Sequence, residues 1–430
     1  MRRLLSILTL TLLAPGPSLA ETLEDAMVAA HRSNPNLEDS RLAVRAAREG
    51  RVQAATNYLP TLGVTATYGV EETTNETESI FGPSTREEEL NPATTNIELT
   101  QRLYTGGRRG GQSRLARAEY EAADHQYRAT EQEILLFAVE AYLSVRRDSE
   151  ILQLREEHVV GLEIQLSGTE RRLDVGEVSR TDVAQAQTRL AAARAALSRA
   201  RAELERARAR YEEVVGHSPE ALAPVPAAPQ APTSLAEAIR IAEDMHPQIM
   251  VARSNERAAR ARVAIERAAL LPQLSMTGRF ATADDSNAEN DRSESSAAVA
   301  TLSVPLFEGG LAWSRTRQGR INVDRAEART EAQHREIVAE VTRSWNGLIA
   351  GREVLAAAEQ QVEASDLAVR GAERERGLGM RSTLDVLNAQ EEARDALIGR
   401  TRAEAEATFA SYALLAATGQ LVLPATQEAQ

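Results

Sequence analysis

The sequence predicts a mainly α-helical chain of long coiled-coil helices, interrupted by two pairs of short amphipathic β-strands, in two tandem copies of one unit. Three observations carry this expectation. The chain repeats itself at a nearly constant offset, each copy holds helical stretches far longer than a globular domain uses, and each holds two alternating segments of strand length.

The repeat comes first because it sets the architecture. Thr22-Leu23-Glu24-Asp25-Ala26 pairs with Ser234-Leu235-Ala236-Glu237-Ala238, Asn34-Pro35 with His246-Pro247, and Leu59-Pro60 with Leu271-Pro272, all at an offset of 212. Further on, Leu103-Tyr104-Thr105-Gly106-Gly107 pairs with Leu306-Phe307-Glu308-Gly309-Gly310, Asp182-Val183 with Asp385-Val386, and Gly216 with Gly419, at an offset of 203. The nine-residue difference falls between Pro60 and Leu103, as an insertion in a loop of the first copy. The expected organisation is a leader over 1–20, a first repeat over 21–216, a linker over 217–233, a second repeat over 234–419 and a tail over 420–430. Pro219, Pro224, Pro226, Pro229 and Pro232 forbid a helix in the linker, which is either a flexible tether or, as preferred here, a semi-extended segment lying against the helices.

Each copy reads as a helical segment of about 37 residues, two strands, a helical segment of about 65, a Gly-containing turn and a helix of about 36. At 1.5 Å per residue the long helix reaches roughly 100 Å, so two half-length helices placed end to end can stack beside it. In the last helix of the first copy Val183, Leu190, Leu197, Leu204 and Tyr211 recur every seven residues. Ala186, Ala193, Ala200, Ala207 and Val214 interleave with them, which makes a heptad seam. The second copy has alanine at all five interleaved positions: Ala389, Ala396, Ala403, Ala410 and Ala417. Small residues there let helices approach closely. A second flank of small residues (Ala184, Thr188, Ala191, Ala195, Ser198, Ala202) fits each helix for two neighbours, as a barrel of helices requires, although an antiparallel hairpin alone also satisfies the main stripe.

The strands separate these readings. From Thr61 to Val70, Leu62, Val64, Ala66, Tyr68 and Val70 alternate with Thr61, Gly63, Thr65, Thr67 and Gly69. Leu274, Met276 and Phe280, then Ile97, Leu99 and Leu103, then Ala300, Leu302, Val304 and Leu306 mark the other three strands. About ten residues with one apolar face suit a tilted membrane strand in a small β-barrel, with Tyr68, Tyr104, Phe280 and Phe307 at the headgroup level. The intervening loops are acidic. Glu71–Pro92 carries seven carboxylates against Arg86, and Asp284–Ser296 five against Arg292, so they are solvated surface or cation-binding outer loops.

Composition narrows the function. Arg2 and Arg3, an apolar run from Leu4 to Leu13 and Ser18-Leu19-Ala20 read as an export signal cleaved before Glu21. The absence of cysteine removes disulfides, zinc-thiolate sites, thiol nucleophiles and a lipid-modified cysteine, and the absence of lysine removes a P-loop and a Schiff base. A net charge of −13 excludes nucleic acid as a partner. No HExxH or G-x-S-x-G occurs and the six histidines are scattered, so no catalytic residue, cofactor or metal is expected.

The element order, the duplication, the Leu-Pro and Gly-Gly junctions and two turn motifs together resemble the TolC family of outer-membrane efflux channels. The first turn reads Asp174-Val175-Gly176-Glu177-Val178-Ser179-Arg180-Thr181-Asp182-Val183. The second reads Gly377-Leu378-Gly379-Met380-Arg381-Ser382-Thr383-Leu384-Asp385-Val386-Leu387-Asn388-Ala389-Gln390. The resemblance covers nearly all of Glu21 to Leu421. It implies a homotrimer with a twelve-stranded barrel in outer-membrane lipid and a helical barrel through the periplasm. It also implies a periplasmic adaptor and an inner-membrane RND or ABC transporter as partners, in multidrug efflux or type I secretion. Four strands cannot close a barrel alone and open edges are forbidden in lipid, which argues for shared closure independently. By resemblance Val175, Gly176, Leu378 and Gly379 match adaptor-contact positions. Asp385 matches the aperture carboxylate, Asn388 stands where a second aspartate is often found, and Arg381, Thr181 and Asp182 match groups that hold the closed state. Asp182 and Asp385 equally suit first-turn helix acids after a Gly turn. The alternative is a periplasmic coiled-coil adaptor or scaffold, for which one hairpin and no paired strands are expected.

Overall fold

The computed structural model describes residues 20–225, 229–286 and 291–423. The expected leader apart from Ala20, Pro226 of the linker, Glu289 of the second acidic stretch and the tail beyond 423 lie outside them. The first copy runs α1 (Leu23–Ser33), α2 (Pro35–Thr56), β1 (Thr61–Tyr68), β2 (Glu71–Ser79), β3 (Gly82–Leu90), β4 (Ala93–Tyr104), α3 (Arg108–Asp174) and α4 (Arg180–Val215). The second runs α5 (Leu235–Met245), α6 (Pro247–Ala268), β5 (Gln273–Asp284), β6 (Arg292–Ser303), α7 (Leu311–Gly377) and α8 (Thr383–Ala417). α3 and α7 are each 67 residues long.

Two compact units cut across both copies: one of residues up to Glu38, Thr130–His246 and Ile337 onward, the other of Asp39–Ala129 with Pro247–Glu336. The second holds the sheet, in the order β1-β4-β5-β6, antiparallel throughout, with β2 and β3 as a separate ribbon.

Local chemistry sets the helix bounds. Thr22 and Asp25 form a reciprocal capping box that starts α1, and Leu23, Ala26, Met27 and Ala30 turn one apolar stripe inward. The helical segment of about 37 residues expected here is two helices, because α1 closes on Asn34 and Pro35 begins α2, where its missing N–H is no loss. His246 and Pro247 repeat this between α5 and α6. α4 ends at Gly216, with φ of +95°. There a side chain would meet Ser33 Oγ at 2.6 Å, and Ser33 Oγ instead donates to Val215 O at 2.7 Å.

The heptad seam is the core of the first unit. Every member of the α4 series from Ala186 to Val214 is buried, and Ala396, Ala403 and Ala417 are buried on α8. The second flank, Ala184, Thr188, Ala191, Ala195, Ser198 and Ala202, is exposed in the single chain. α7 and α8 approach so closely that a methyl on Gly351 would stand 3.3 Å from Ala407 Cα. Ala403→Leu is therefore expected to overpack this seam by about 1–3 kcal/mol, read as a lower thermal midpoint of the assembled protein.

The linker begins as a docked segment. Glu21 N–H donates to Ala221 O at 2.9 Å and Ala223 N–H to Glu21 O at 2.8 Å, a short parallel bridge. The fully buried Tyr142 of α3 donates its hydroxyl to Ala223 O at 2.7 Å and Glu21 O at 3.0 Å. Burial, with the Glu21 carboxylate nearby, pushes the Tyr142 phenol up to about 12.

Three strand expectations need correction. The first acidic stretch is not a loop but the hairpin β2–β3, paired from Glu71↔Leu90 to Ser79↔Gly82. Threonine at 73, 74, 77 and 85 supplies β propensity without an apolar face, so hydrophobic alternation is silent there. In the second copy β5 runs to Asp284 and β6 starts at Arg292, so strand enters both ends of the expected loop. β6 stops at Ser303 and not at Leu306, because Pro305 offers no N–H to a ladder.

Candidate functional site: the membrane sheet and the hairpin tips

The sheet has two chemically distinct faces. Leu62↔Leu99 and Val64↔Ile97 pair across β1 and β4, Ile97↔Phe280 across β4 and β5, and Leu274↔Leu302 across β5 and β6, which makes one apolar face. The other carries Thr61↔Thr100↔Thr277 and Glu98↔Arg279, with Arg279 Nη2 3.0 Å from Glu98 Oε2. β1 and β6 are exposed along their whole length, each with one edge unpaired within the chain. Such edges cannot face lipid, so the sheet is a fragment of something closed.

At the α3–α4 tip the chain turns on Gly176, with φ of +79°. Gly176 N–H donates to Leu173 O and Glu177 N–H to Arg172 O, each at 2.9 Å, which satisfies the last carbonyls of α3. Ser179 then caps α4. Its N–H and hydroxyl both donate to Asp182 Oδ2 at 2.8 Å, while Asp182 N–H donates to Ser179 Oγ at 3.3 Å.

The α7–α8 tip repeats this on Gly379 (φ of +76°), Ser382 and Asp385, with Ser382 Oγ donating to Asp385 Oδ2 at 2.8 Å. Bonds from Ser179 and Ser382 hold both carboxyls below the usual aspartate range, and the Arg381 charge adds to this at Asp385. Both aspartates are thus capping-box acids, as a first-turn position after a Gly turn suggests. Val175 and Leu378 are exposed at the tips, and a methyl on Gly176 or Gly379 would touch nothing.

The remaining tip residues are tied in ways that sequence reasoning missed. Arg381 Nε lies 2.6 Å from Glu375 Oε2, across its own turn. Asn388 accepts a hydrogen bond from Arg189 Nη2 at 2.8 Å, joining α8 to α4. Arg155 Nη2 of α3 reaches Asp395 Oδ1 of α8 at 3.4 Å. The last two ties span 199 and 240 residues, and no local pattern announces them.

A groove of about 650 Å³ lies between the hairpins, with His158, Arg189, Leu387 and Arg394 among its lining. Burial there lowers the His158 pKa, and Arg394 and Arg155 reinforce the shift. Among the described residues no cluster of His, Asp and Glu could hold a metal ion, and no helix is long and apolar enough to cross a membrane.

An amphipathic sheet with two open edges, joined in one chain to paired long helices that end in capped, exposed tips, defines a subunit of a membrane duct. The sequence profile described as outer membrane efflux protein matches residues 27–217 and again 238–420, and the chain belongs to that family.

The outer membrane efflux protein BepC of Brucella suis biovar 1 is 32% identical, over 96% of this chain and 89% of that protein. The outer membrane protein TolC of Vibrio cholerae serotype O1 is 28% identical, over 88% of this chain and 86% of that one. Among solved structures, the Campylobacter jejuni CmeC outer membrane channel superimposes with a TM-score of 0.82 at 15% identity, covering 93% of this chain and 86% of that one. The protein is an outer-membrane channel for efflux or type I secretion that extends into the periplasm, and it is not an enzyme.

Proposed function

We propose that the chain is one third of a passive trans-periplasmic duct, a homotrimer whose three four-stranded sheets close one twelve-stranded barrel in outer-membrane lipid. The observation that carries this reading is the sheet itself, with its apolar and polar faces and two free edges. Two subunits would close only eight strands, whose side chains fill the bore, whereas twelve leave a channel. A periplasmic adaptor docks on the tips at Val175, Gly176, Leu378 and Gly379, and an inner-membrane RND or ABC transporter drives the cargo. A lone adaptor or scaffold is disfavoured, because it has no use for a two-faced sheet.

The aperture lies at the tips. Three copies of Asp385 converge there and repel one another, which favours cations, while Asn388 adds no charge. Within one chain Arg381 pairs with Glu375, so its closing bond to Thr181 and Asp182 belongs between neighbouring subunits. Arg381→Ser is expected to raise single-channel conductance in a planar bilayer, and Asp385→Ala to reduce cation preference.

The pH dependence has a definite sign. Protonation removes the charge, so cation preference is lost as pH falls; the Ser382 bonds lower the pH at which this happens, and the convergence of three Asp385 carboxylates raises it. If both variants form trimers and conduct like the parent, the tip is not the gate.

A further inference from the structure

We propose that Leu59 of one subunit seats against the Gly309-Gly310 turn of the next, in an apolar hollow between Phe307 and Trp313. The proposal rests on the trimeric reading above and says where the subunits lock.

The repeat supplies the template. Inside the chain β4 pairs with β5, and the turn after β4 packs against the segment that leads into β5. A methyl on Gly106 would stand 2.7 Å from Ala268 O and 2.8 Å from Leu271 Cβ, so these groups are in tight contact. At the repeat offsets, Gly106 corresponds to Gly309, Leu271 to Leu59 and Ala268 to Thr56. Gly309 has the same φ as Gly106, +62°, yet a methyl there would meet nothing within 4 Å. Gly309 follows the free edge strand β6, and Leu59 precedes the free edge strand β1. An antiparallel β6–β1 pair between subunits places the end of one strand beside the start of the other, as β4 and β5 do within the chain.

Exposure agrees with an unfilled seat. Leu271 is 37% exposed, whereas Leu59 is 63% exposed. Tyr104, beside the filled contact, is 49% exposed, and its counterpart Phe307 is 87% exposed. A hollow of about 120 Å³ opens here, lined by Leu270, Leu306, Phe307, Leu311 and Trp313. In the first copy the counterpart of Ala312 is Arg109, which stacks on Tyr58 with its guanidinium 4.8 Å from the ring. The hollow lies beside the end of β6, on the side of the chain that meets the neighbour's β1 in the trimer.

The chain has no cysteine, so an introduced pair reports without interference. In the full-length protein in outer membranes, Leu59→Cys with Phe307→Cys is expected to give covalent dimers and trimers on oxidation, lost on reduction and absent from either single variant. Leu271→Cys with Tyr104→Cys is the internal control and should link within one chain. Trimers that form normally but give no interchain link, while the control links, overturn the seat and leave the trimer standing. If no trimer forms from the parent protein, both readings fall.

Trp313 gives an independent measurement on the unaltered contact, in a Trp345→Phe background. A seated Leu59 shields it from brominated phospholipids, so little quenching is expected. Strong quenching would identify the patch as a lipid face and overturn the proposal.

Discussion

Gly106→Ala is expected to abolish most of the heat-resistant assembled protein, with a loss of about 2–5 kcal/mol in subunit stability from left-handed backbone strain and overpacking combined. Gly106 has a positive φ that alanine tolerates poorly. The added methyl would meet a backbone carbonyl at 2.7 Å, which cannot swing aside as a long side chain does. Gly309→Ala is the informative companion. In an isolated subunit it carries only the strain, about 1–2 kcal/mol. In the assembly it should approach the Gly106 variant, because the neighbour's Thr56 and Leu59 then stand where Ala268 and Leu271 stand. Thermal midpoints of dissociated and assembled protein, compared for both variants, check the pair.

Tyr142→Ala is the second large effect, about 3–5 kcal/mol for a buried aromatic truncation, seen as a drop in denaturant midpoint. Tyr142 is wholly buried, and its hydroxyl ties the start of α1 and the linker to the middle of α3. Tyr142→Phe isolates the hydroxyl, at about 0.5–1.5 kcal/mol. Glu21 O retains Ala223 N–H as a donor, so Ala223 O bears most of that loss. The phenol is raised to about 12, so this contribution is complete below the ordinary tyrosine value of 10.0 and fades as pH rises through about 12. A midpoint for the parent protein that already falls between pH 8 and 9 would have to come from another group.

Most of the architecture is legible before folding, because it is periodic or local. Seven-residue spacing marks the α4 seam, alternation marks β1, and Gly176 and Gly379 mark turns that only a left-handed residue makes easily. Repetition of Gly106-Gly107 as Gly309-Gly310 even carries the backbone conformation, with φ of +62° at the first glycine of each pair. The hairpin β2–β3 escaped because its alternation lies among Glu and Thr, and hydrophobic contrast is the only alternation that burial imposes on a strand. The break at Asn34-Pro35 is present in the letters, as a proline at a first helical position, although the stretch reads as one helical segment of about 37 residues.

The candidate site divides along the same line. Ser179 with Asp182, and Ser382 with Asp385, are three residues apart, so their bonds follow from helix geometry alone. Arg189 with Asn388, Arg155 with Asp395, and Tyr142 with Ala223 are brought together only when helices choose neighbours and azimuths. A heptad stripe states that a face is buried and leaves open against which helix, since an alanine seam fits many partners equally well. Read alone, the chain therefore specifies its long helices, its membrane strands, their order and its family. Packing decides which tips are tied together, where the linker is clasped, and which of two equivalent glycine turns is filled within the chain, because those depend on side chains that no local pattern brings into contact.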